Sequence, residues 1–157
     1  MNNEESTEKL RGWYSRGYLP HYDGGETRTQ FITCRLYDSL PQKVLARFRK
    51  ELELRKVENI ERETLILAEK YLDKGYGQCF LRGREIAGTV RDSLLKYHGE
   101  RYRLIAWVVM PNHIHLLLRP NAGYKLEKIM HSFKSFTASE SNKLRSEERR
   151  VGKECRL

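Results

Sequence analysis

Two histidines separated by one residue, His113 and His115, are the side chains of this sequence best suited to bind one metal ion together. They follow Pro111 and Asn112, which suit the middle of a tight turn because Pro fixes its φ and Asn tolerates left-handed backbone. Alternate side chains of a strand share a face, so we expect the imidazoles about 6.5–7 Å apart on one surface, within reach of a shared divalent cation. Exposed or simply hydrogen-bonded histidines show the same spacing, and the pair alone does not separate these interpretations.

The segments on either side of this turn predict two neighbouring strands. Residues 104–110 and 114–118 are rich in leucine and β-branched residues and too short for helices of ordinary length. Three alternate apolar side chains of the second strand are expected to face the core: Ile114, Leu116 and Leu118. The opposite face of that strand is expected to carry the two histidines and, further along, Arg119.

Hydrophobic periodicity predicts the other elements. Residues 30–36 alternate as a strand, and apolar residues recur at helical spacing in residues 38–52, 58–72, 84–97 and from residue 125 onward. The order β-α-α-α-β-β-α predicts the α+β class, with a ferredoxin-like antiparallel sheet and helices packed on one face. We expect three parts along the chain: an N-terminal arm at residues 1–25, one domain at residues 26–144 and a tail at residues 145–157.

The composition points to an acidic partner. The chain has 157 residues and a formal net charge of +9, from 30 Lys and Arg against 21 Asp and Glu. Nucleic acid is the first candidate for a partner of such a chain, and a basic surface that only aids solubility is the alternative. Cys34, Cys79 and Cys155 show no metal-binding spacing and suit a reducing cytoplasm. We expect no membrane association, because no apolar run is long enough to span a bilayer.

Several basic side chains are candidate contacts to DNA phosphates. The last predicted helix carries Lys128 and Lys134 on its polar face, and the strands carry Arg35 and Arg119. For Lys134, the pattern fits contact with phosphate and simple exposure to solvent equally well. For Lys128, simple exposure to solvent is the interpretation that the pattern favours. The aromatic residues between positions 13 and 25 suit either packing on the domain, which we favour, or stacking on bases.

Four ordered segments together resemble one protein family. MPNHIHLLL at residues 110–118 resembles the His-hydrophobic-His motif of the IS200/IS605-type tyrosine (Y1, HUH) transposases, and more narrowly of the bacterial REP-associated tyrosine transposases. The segments SRGYLPHYD, QFITCRL and HSFKSFT, at residues 15–23, 30–36 and 131–137, are similar to segments of that subgroup. The resemblance covers roughly residues 11 to 144 and implies a Y1 transposase-like fold.

The resemblance implies metal-assisted transesterification on single-stranded, hairpin-forming DNA of the REP type. In a complete member of the family, a divalent ion, Mg²⁺ or Mn²⁺, would be held by the residues that match His113 and His115 and by a third ligand. A tyrosine oxygen would attack phosphorus, leaving a 5′-phosphotyrosyl link and a free 3′-OH. In the family, the nucleophile and the further ligand follow the segment matched by residues 131–137. No residue of this chain occupies those positions, and Tyr124 does not match. We therefore expect weak metal binding and no cleavage by this chain. The family is bacterial, acts at the nucleoid in the cytoplasm and is compatible with a homodimer.

The final segment differs in character from the rest. RSEERRVGKEC, at residues 145–155, resembles the translation of a DNA-sequencing adapter read in frame, and it breaks the apolar pattern of the preceding helix. We therefore expect the helix and the family resemblance to end near Leu144, and the family domain to be incomplete at its C-terminus.

Two other functions fit parts of the pattern. A non-catalytic, ferredoxin-like nucleic-acid-binding module would use the same basic surface, with the histidines serving only the structure. A metal-free hydrolase with a His-x-His-x-His motif would need a third histidine at position 117. Leu117 stands there instead, which argues against the hydrolase.

Overall fold

The computed structural model describes residues 12–14, 21–23 and 27–154, with side chains described from residue 27 to residue 146. The strands are β1 (Gly12–Tyr14), β2 (His21–Asp23), β3 (Gln30–Arg35), β4 (Tyr102–Val109) and β5 (His113–Pro120). The helices are α1 (Gln42–Leu54), α2 (Ile60–Leu72), α3 (Arg84–Lys96) and α4 (Leu126–Glu154), with short 3-10 turns at Tyr37–Ser39 and Phe80–Arg82. β1 and β2 pair with each other as an antiparallel ladder. The aromatic side chains expected on the N-terminal arm lie outside the described side chains.

The central sheet has three antiparallel strands in the order β3-β5-β4. The strand that carries both histidines, β5, is therefore the middle strand and has a hydrogen-bonded neighbour on each side. Four helices accompany this sheet, and the α+β class and the predicted order of elements from residue 30 onward are confirmed.

One face of the sheet is buried beneath α3 and α4. Leu116 and Leu118 of β5 are at most 1% exposed and belong to one apolar cluster with Val90 and Leu94 of α3 and Phe133 of α4. The alternation along β5 that predicted this face is therefore confirmed. Burial of these leucines holds the middle strand rigidly and turns its other side chains toward the opposite face.

The helices α1 and α2 surround a second, smaller core. It consists of Leu40, Val44, Leu45, Phe48, Ala68 and Leu72. The C-terminal end of α2 approaches the turn before β5, where the Asn112 amide donates hydrogen bonds to the carbonyl oxygens of Leu72 (3.1 Å) and Tyr76 (2.9 Å). These bonds place the residue that follows α2, Asp73, beside the start of β5.

The last helix is longer than expected. α4 continues past Leu144 to Glu154, so the expected end of the helix near Leu144 is wrong. Residues 145–154 consist mostly of Arg, Glu and Lys, which are good helix formers, and this propensity extends the helix although the apolar stripe has ended. Despite its length α4 is polar, and within residues 12–14, 21–23 and 27–154 we find no helix apolar and long enough to cross a bilayer.

Candidate metal centre on the sheet

The two histidines converge on one point above the sheet. His113 and His115 project from the same side of β5, and their Nε2 atoms are 3.0 Å apart. The ring centroids are separated by 4.6 Å with the planes nearly perpendicular. His113 is fully buried and His115 is half-buried. The rings thus lie where alternation in the strand predicted them, with polar groups around them rather than the apolar core.

Asn112 fixes the hydrogen on the first ring. Its Nδ2 is committed as a donor to two backbone carbonyls, so its Oδ1, 2.7 Å from Nδ1 of His113, can only accept. The hydrogen of a neutral His113 therefore resides on Nδ1, and Nε2 keeps a lone pair directed at His115. The turn residue predicted from backbone chemistry has this second role in setting the tautomer.

Thr33 and Glu69 fix the hydrogen on the second ring. The Thr33 hydroxyl donates to Oε1 of Glu69 over 3.2 Å, and its oxygen is 3.0 Å from Nδ1 of His115. A hydroxyl has one hydrogen to donate, so Thr33 accepts from Nδ1 of His115. Glu69, Thr33 and His115 thus form a carboxylate–hydroxyl–imidazole chain of the kind that orients metal-binding histidines.

These contacts leave two lone pairs facing each other. Since each Nδ1 carries the hydrogen of its ring, the two Nε2 atoms meet at 3.0 Å without a hydrogen between them. A cation shared by both nitrogens resolves this contact. Burial lowers the pKa of His113, the neighbouring His115 lowers it further, and Asp73 raises it in opposition. The surroundings of His113 thus favour its neutral form over the protonated one. A neutral imidazole is the form that binds a metal ion.

A carboxylate completes a group of three candidate ligands. Oδ1 of Asp73 lies 3.7 Å from Nε2 of His113, and ligand atoms of Asp73, His113 and His115 all lie within 4.8 Å of one another. The Asp73 side chain is 62% exposed, so one side of the group is open to solvent and to a substrate. Two imidazoles and one carboxylate form a donor set that accepts a divalent ion with positions left for substrate oxygens.

The other predicted site residues are divided between the two sides of the sheet. Arg119 is exposed on the face of the histidines. Arg35 of β3 pairs with His113 of β5, and the guanidinium of Arg35 donates hydrogen bonds to the carbonyls of Leu36 and Tyr37. Lys128 and Lys134 are exposed on α4, which packs on the opposite, apolar face. Lys134 lines a groove along β3 that Arg35 also lines, whereas Lys128 does not line this groove.

The chain matches one family model. Residues 84–155 match the model described as Transposase IS200 like, a range that contains α3, β4, β5 and the whole of α4, including both histidines. The match covers a little under half of the chain and supports the IS200 family and a DNA-cleaving and DNA-joining function of the transposase kind. It extends past Leu144, where we expected the resemblance to end. No curated protein and no solved structure shows a significant match to the chain.

Three residues of the centre were not found from sequence. Asp73 gives little signal, because a carboxylate at a helix end before a glycine is common. Thr33 and Glu69 are separated by 36 positions. The register between β3 and β5 places Thr33 opposite His115, and the packing of α2 brings Glu69 to Thr33. The third ligand expected beyond the chain therefore has a candidate within it, Asp73.

Proposed function

We propose that this chain is the metal-binding and DNA-binding part of an IS200-like tyrosine transposase of the REP-associated subgroup, acting on single-stranded, hairpin-forming DNA. The observation that carries the proposal is the pair of Nε2 lone pairs directed at each other from a rigid strand, with both Nδ1 hydrogens engaged elsewhere. The IS200-like match over the same strand supports this choice of chemistry.

In the proposed site, His113, His115 and Asp73 hold a divalent cation, Mg²⁺ or Mn²⁺. When bound, the ion supplies Lewis-acid polarisation of a phosphodiester and neutralises charge that develops on its oxygens. Asn112 and Thr33 hold the two imidazoles in the tautomer that presents Nε2. Asp73 offers an anionic ligand from the open side, which suits hard divalent ions better than imidazole alone.

The basic side chains are proposed to bind the DNA backbone around this centre. Arg119 shares the face of the histidines, and Arg35 and Lys134 border the groove along β3. Lys128 is proposed as a more distant phosphate contact. Because no tyrosine of this chain matches the family's nucleophile, we propose that the chain binds hairpin DNA and metal but does not nick DNA. We also propose that residues 145–157 take no part in this function.

A second candidate function is a non-catalytic nucleic-acid-binding module with a structural histidine pair. The observation that favours it is the hydrogen bond from Nδ1 of the buried His113 to Asn112, which a structural histidine would also make. Metal binding separates the two candidates, since a structural pair has no need of an ion.

The test is Mn²⁺ binding to the full chain, followed by isothermal titration calorimetry or by electron paramagnetic resonance. We expect one Mn²⁺ per chain, and a loss of at least about tenfold in affinity for His115→Ala, because one of three ligands is removed. His131→Ala, at an exposed histidine of α4, is the matched control and should bind as the unaltered chain does. Equal affinity of the His115→Ala variant would contradict the metal site and favour the second candidate.

A further inference from the structure

The face of the sheet that carries the histidines continues beyond them along all three strands. Residues paired across the three strands form rows that run across the sheet. One row consists of Thr33, His115 and Val108. Phe31, Leu117 and Ala106 form the next row, away from Asp73. Paired residues of an antiparallel sheet share a face, so both rows point to the same side.

The second row is apolar and exposed to solvent for the most part, and Val108 of the first row extends this apolar surface. Phe31 is 60% exposed and Val108 is 44% exposed, Ala106 is exposed, and Leu117 is half-buried. We call these four residues the apolar shelf. Exposed apolar surface grouped beside a candidate metal centre is unfavourable in water unless a ligand covers it during function.

Phe31 connects the shelf directly to the metal centre. Its ring lies parallel to the imidazole of His115, with the centroids 5.2 Å apart and an angle of 22° between the planes. One face of the phenyl ring is therefore engaged by a candidate metal ligand, while much of the ring remains accessible. A flat group stacked on Phe31 would lie within one residue row of the cation.

Two arginines follow the shelf on the same face. Arg119 of β5 pairs directly with Arg103 of β4, and both side chains are exposed. Like charges directly opposite each other destabilise a sheet, and neither arginine has an acidic partner in the ion pairs of the described side chains. An anion between the two guanidinium groups removes this repulsion and can bind in a bidentate manner.

The order of metal-binding, apolar and basic side chains along β5 matches the alternation of groups along a nucleic acid strand. The metal centre, the apolar shelf and the arginine pair succeed one another, and His115 and Arg119 are separated by about 13 Å of strand. Single-stranded nucleic acid alternates anionic phosphates with flat bases, and proteins bind it with basic side chains and aromatic rings. A duplex cannot present an unstacked base to Phe31.

We propose that this face is a single-strand binding track, on which an unpaired base adjacent to the scissile phosphate stacks on Phe31 and a further phosphate binds between Arg103 and Arg119. The proposal rests on the proposed function and adds the position of the substrate. A second copy of the chain is a poorer occupant of this face, because a symmetric contact through it would place the arginine pairs of both copies in one interface.

The experiment compares two anionic polymers of equal length, an oligothymidylate of about eight nucleotides and the same deoxyribose-phosphate chain without bases. Binding of each to the full chain is measured by fluorescence anisotropy in Mg²⁺ over a range of salt concentrations. The unaltered chain should prefer oligothymidylate. Phe31→Ala should weaken oligothymidylate binding by roughly 5- to 100-fold and leave binding of the abasic polymer unchanged, whereas Phe31→Trp should keep the preference.

The arginine pair should show the complementary pattern. Each of the substitutions Arg103→Gln and Arg119→Gln should weaken the binding of both polymers to the same extent. Each should also reduce the slope of log affinity against log salt concentration by about 0.7, because one phosphate contact to a single strand is lost. Phe136→Ala and Arg84→Gln are the matched controls, since both side chains are exposed on helices of the opposite face. Both controls should bind as the unaltered chain does.

The outcomes separate this inference from the proposed function. If oligothymidylate binds but Phe31→Ala and the arginine variants match their controls, the track is wrong while DNA binding stands. If neither polymer binds to the unaltered chain, the proposed function fails together with the track. If Phe31→Ala instead converts a dimer into a monomer in analytical ultracentrifugation, the face is an interface between copies and the track is overturned.

Discussion

Thr33 lies directly opposite His115 in the sheet, and its hydroxyl oxygen is 3.0 Å from Nδ1 of that histidine. The same hydroxyl donates to Glu69 of α2. A histidine whose Nδ1 hydrogen is held in this way presents Nε2 in a fixed direction. The pairing register of two strands therefore determines how the candidate metal ligand is oriented.

Removing the Thr33 hydroxyl should weaken metal binding without unfolding the protein. We expect Thr33→Val to lower Mn²⁺ affinity roughly 10- to 100-fold, because His115 loses the contact that orients it. Thr33→Ser keeps a hydroxyl and should restore most of the affinity. Calorimetric titration measures the affinity, and thermal melting followed by circular dichroism checks the fold. Equal affinity of the valine and serine variants would show that the hydroxyl does not support the site.

Asn112 should contribute to stability as well as to the metal centre. It is 1% exposed, and truncation to alanine removes a donor from the carbonyls of Leu72 and Tyr76 and takes the acceptor away from Nδ1 of the buried His113. We expect Asn112→Ala to lower the free energy of unfolding by about 1–3 kcal/mol, measured by urea denaturation in EDTA. The control is Asn142→Ala, at an exposed position of α4, which should change stability little. If both substitutions lowered the free energy of unfolding by a similar amount, the proposed contribution of the Asn112 hydrogen bonds to stability would be contradicted.

The protonation of His113 gives a pH-dependent prediction. Burial lowers the pKa of His113 below its ordinary value of 6.5, so at pH 6.5 this ring is protonated to a smaller extent in the folded protein than in the unfolded chain. The unfolded state thus binds more protons, and the contribution of His113 to stability decreases as the pH falls through 6.5. Two-dimensional ¹⁵N NMR of the imidazoles in EDTA should show a neutral His113 with its hydrogen on Nδ1 at pH 6.5. A charged ring at that pH would contradict the assignment.

The choice of nucleic acid can be tested with the chain as it stands. Hairpin-containing single-stranded DNA should bind more tightly than a duplex of the same composition, and its affinity should fall as salt rises, because basic side chains replace condensed counterions. Gel-shift titrations at two salt concentrations measure both effects. Equal binding of hairpin and duplex at moderate salt would count against a transposase of this type.

Local sequence patterns were sufficient for the position of the histidines. The turn at Pro111 and Asn112, followed by strict alternation along β5, placed both imidazoles opposite the leucines that the structure buries. This prediction worked because it used only the period of one strand and the chemistry of one turn.

Contacts between distant segments could not be predicted. The approach of Asp73 depends on how the α1–α2 pair docks, and the Arg103–Arg119 pairing depends on a register that includes an irregularity between Leu104 and Ala106. The side of the sheet on which Lys128 and Lys134 lie is a further contact of this kind. The sequence placed them on the polar face of the last helix, but it did not indicate that the apolar stripe of α4 packs on the face opposite the histidines.

The central claim is that His113 and His115 bind one divalent cation through their Nε2 atoms. Crystals of the full chain soaked in MnCl₂, with anomalous difference maps recorded for manganese, test it most directly. We predict one strong peak at coordination distance from both Nε2 atoms, with Asp73 on its open side. A map without a peak between the two rings, or with manganese bound only elsewhere on the protein, would contradict the claim.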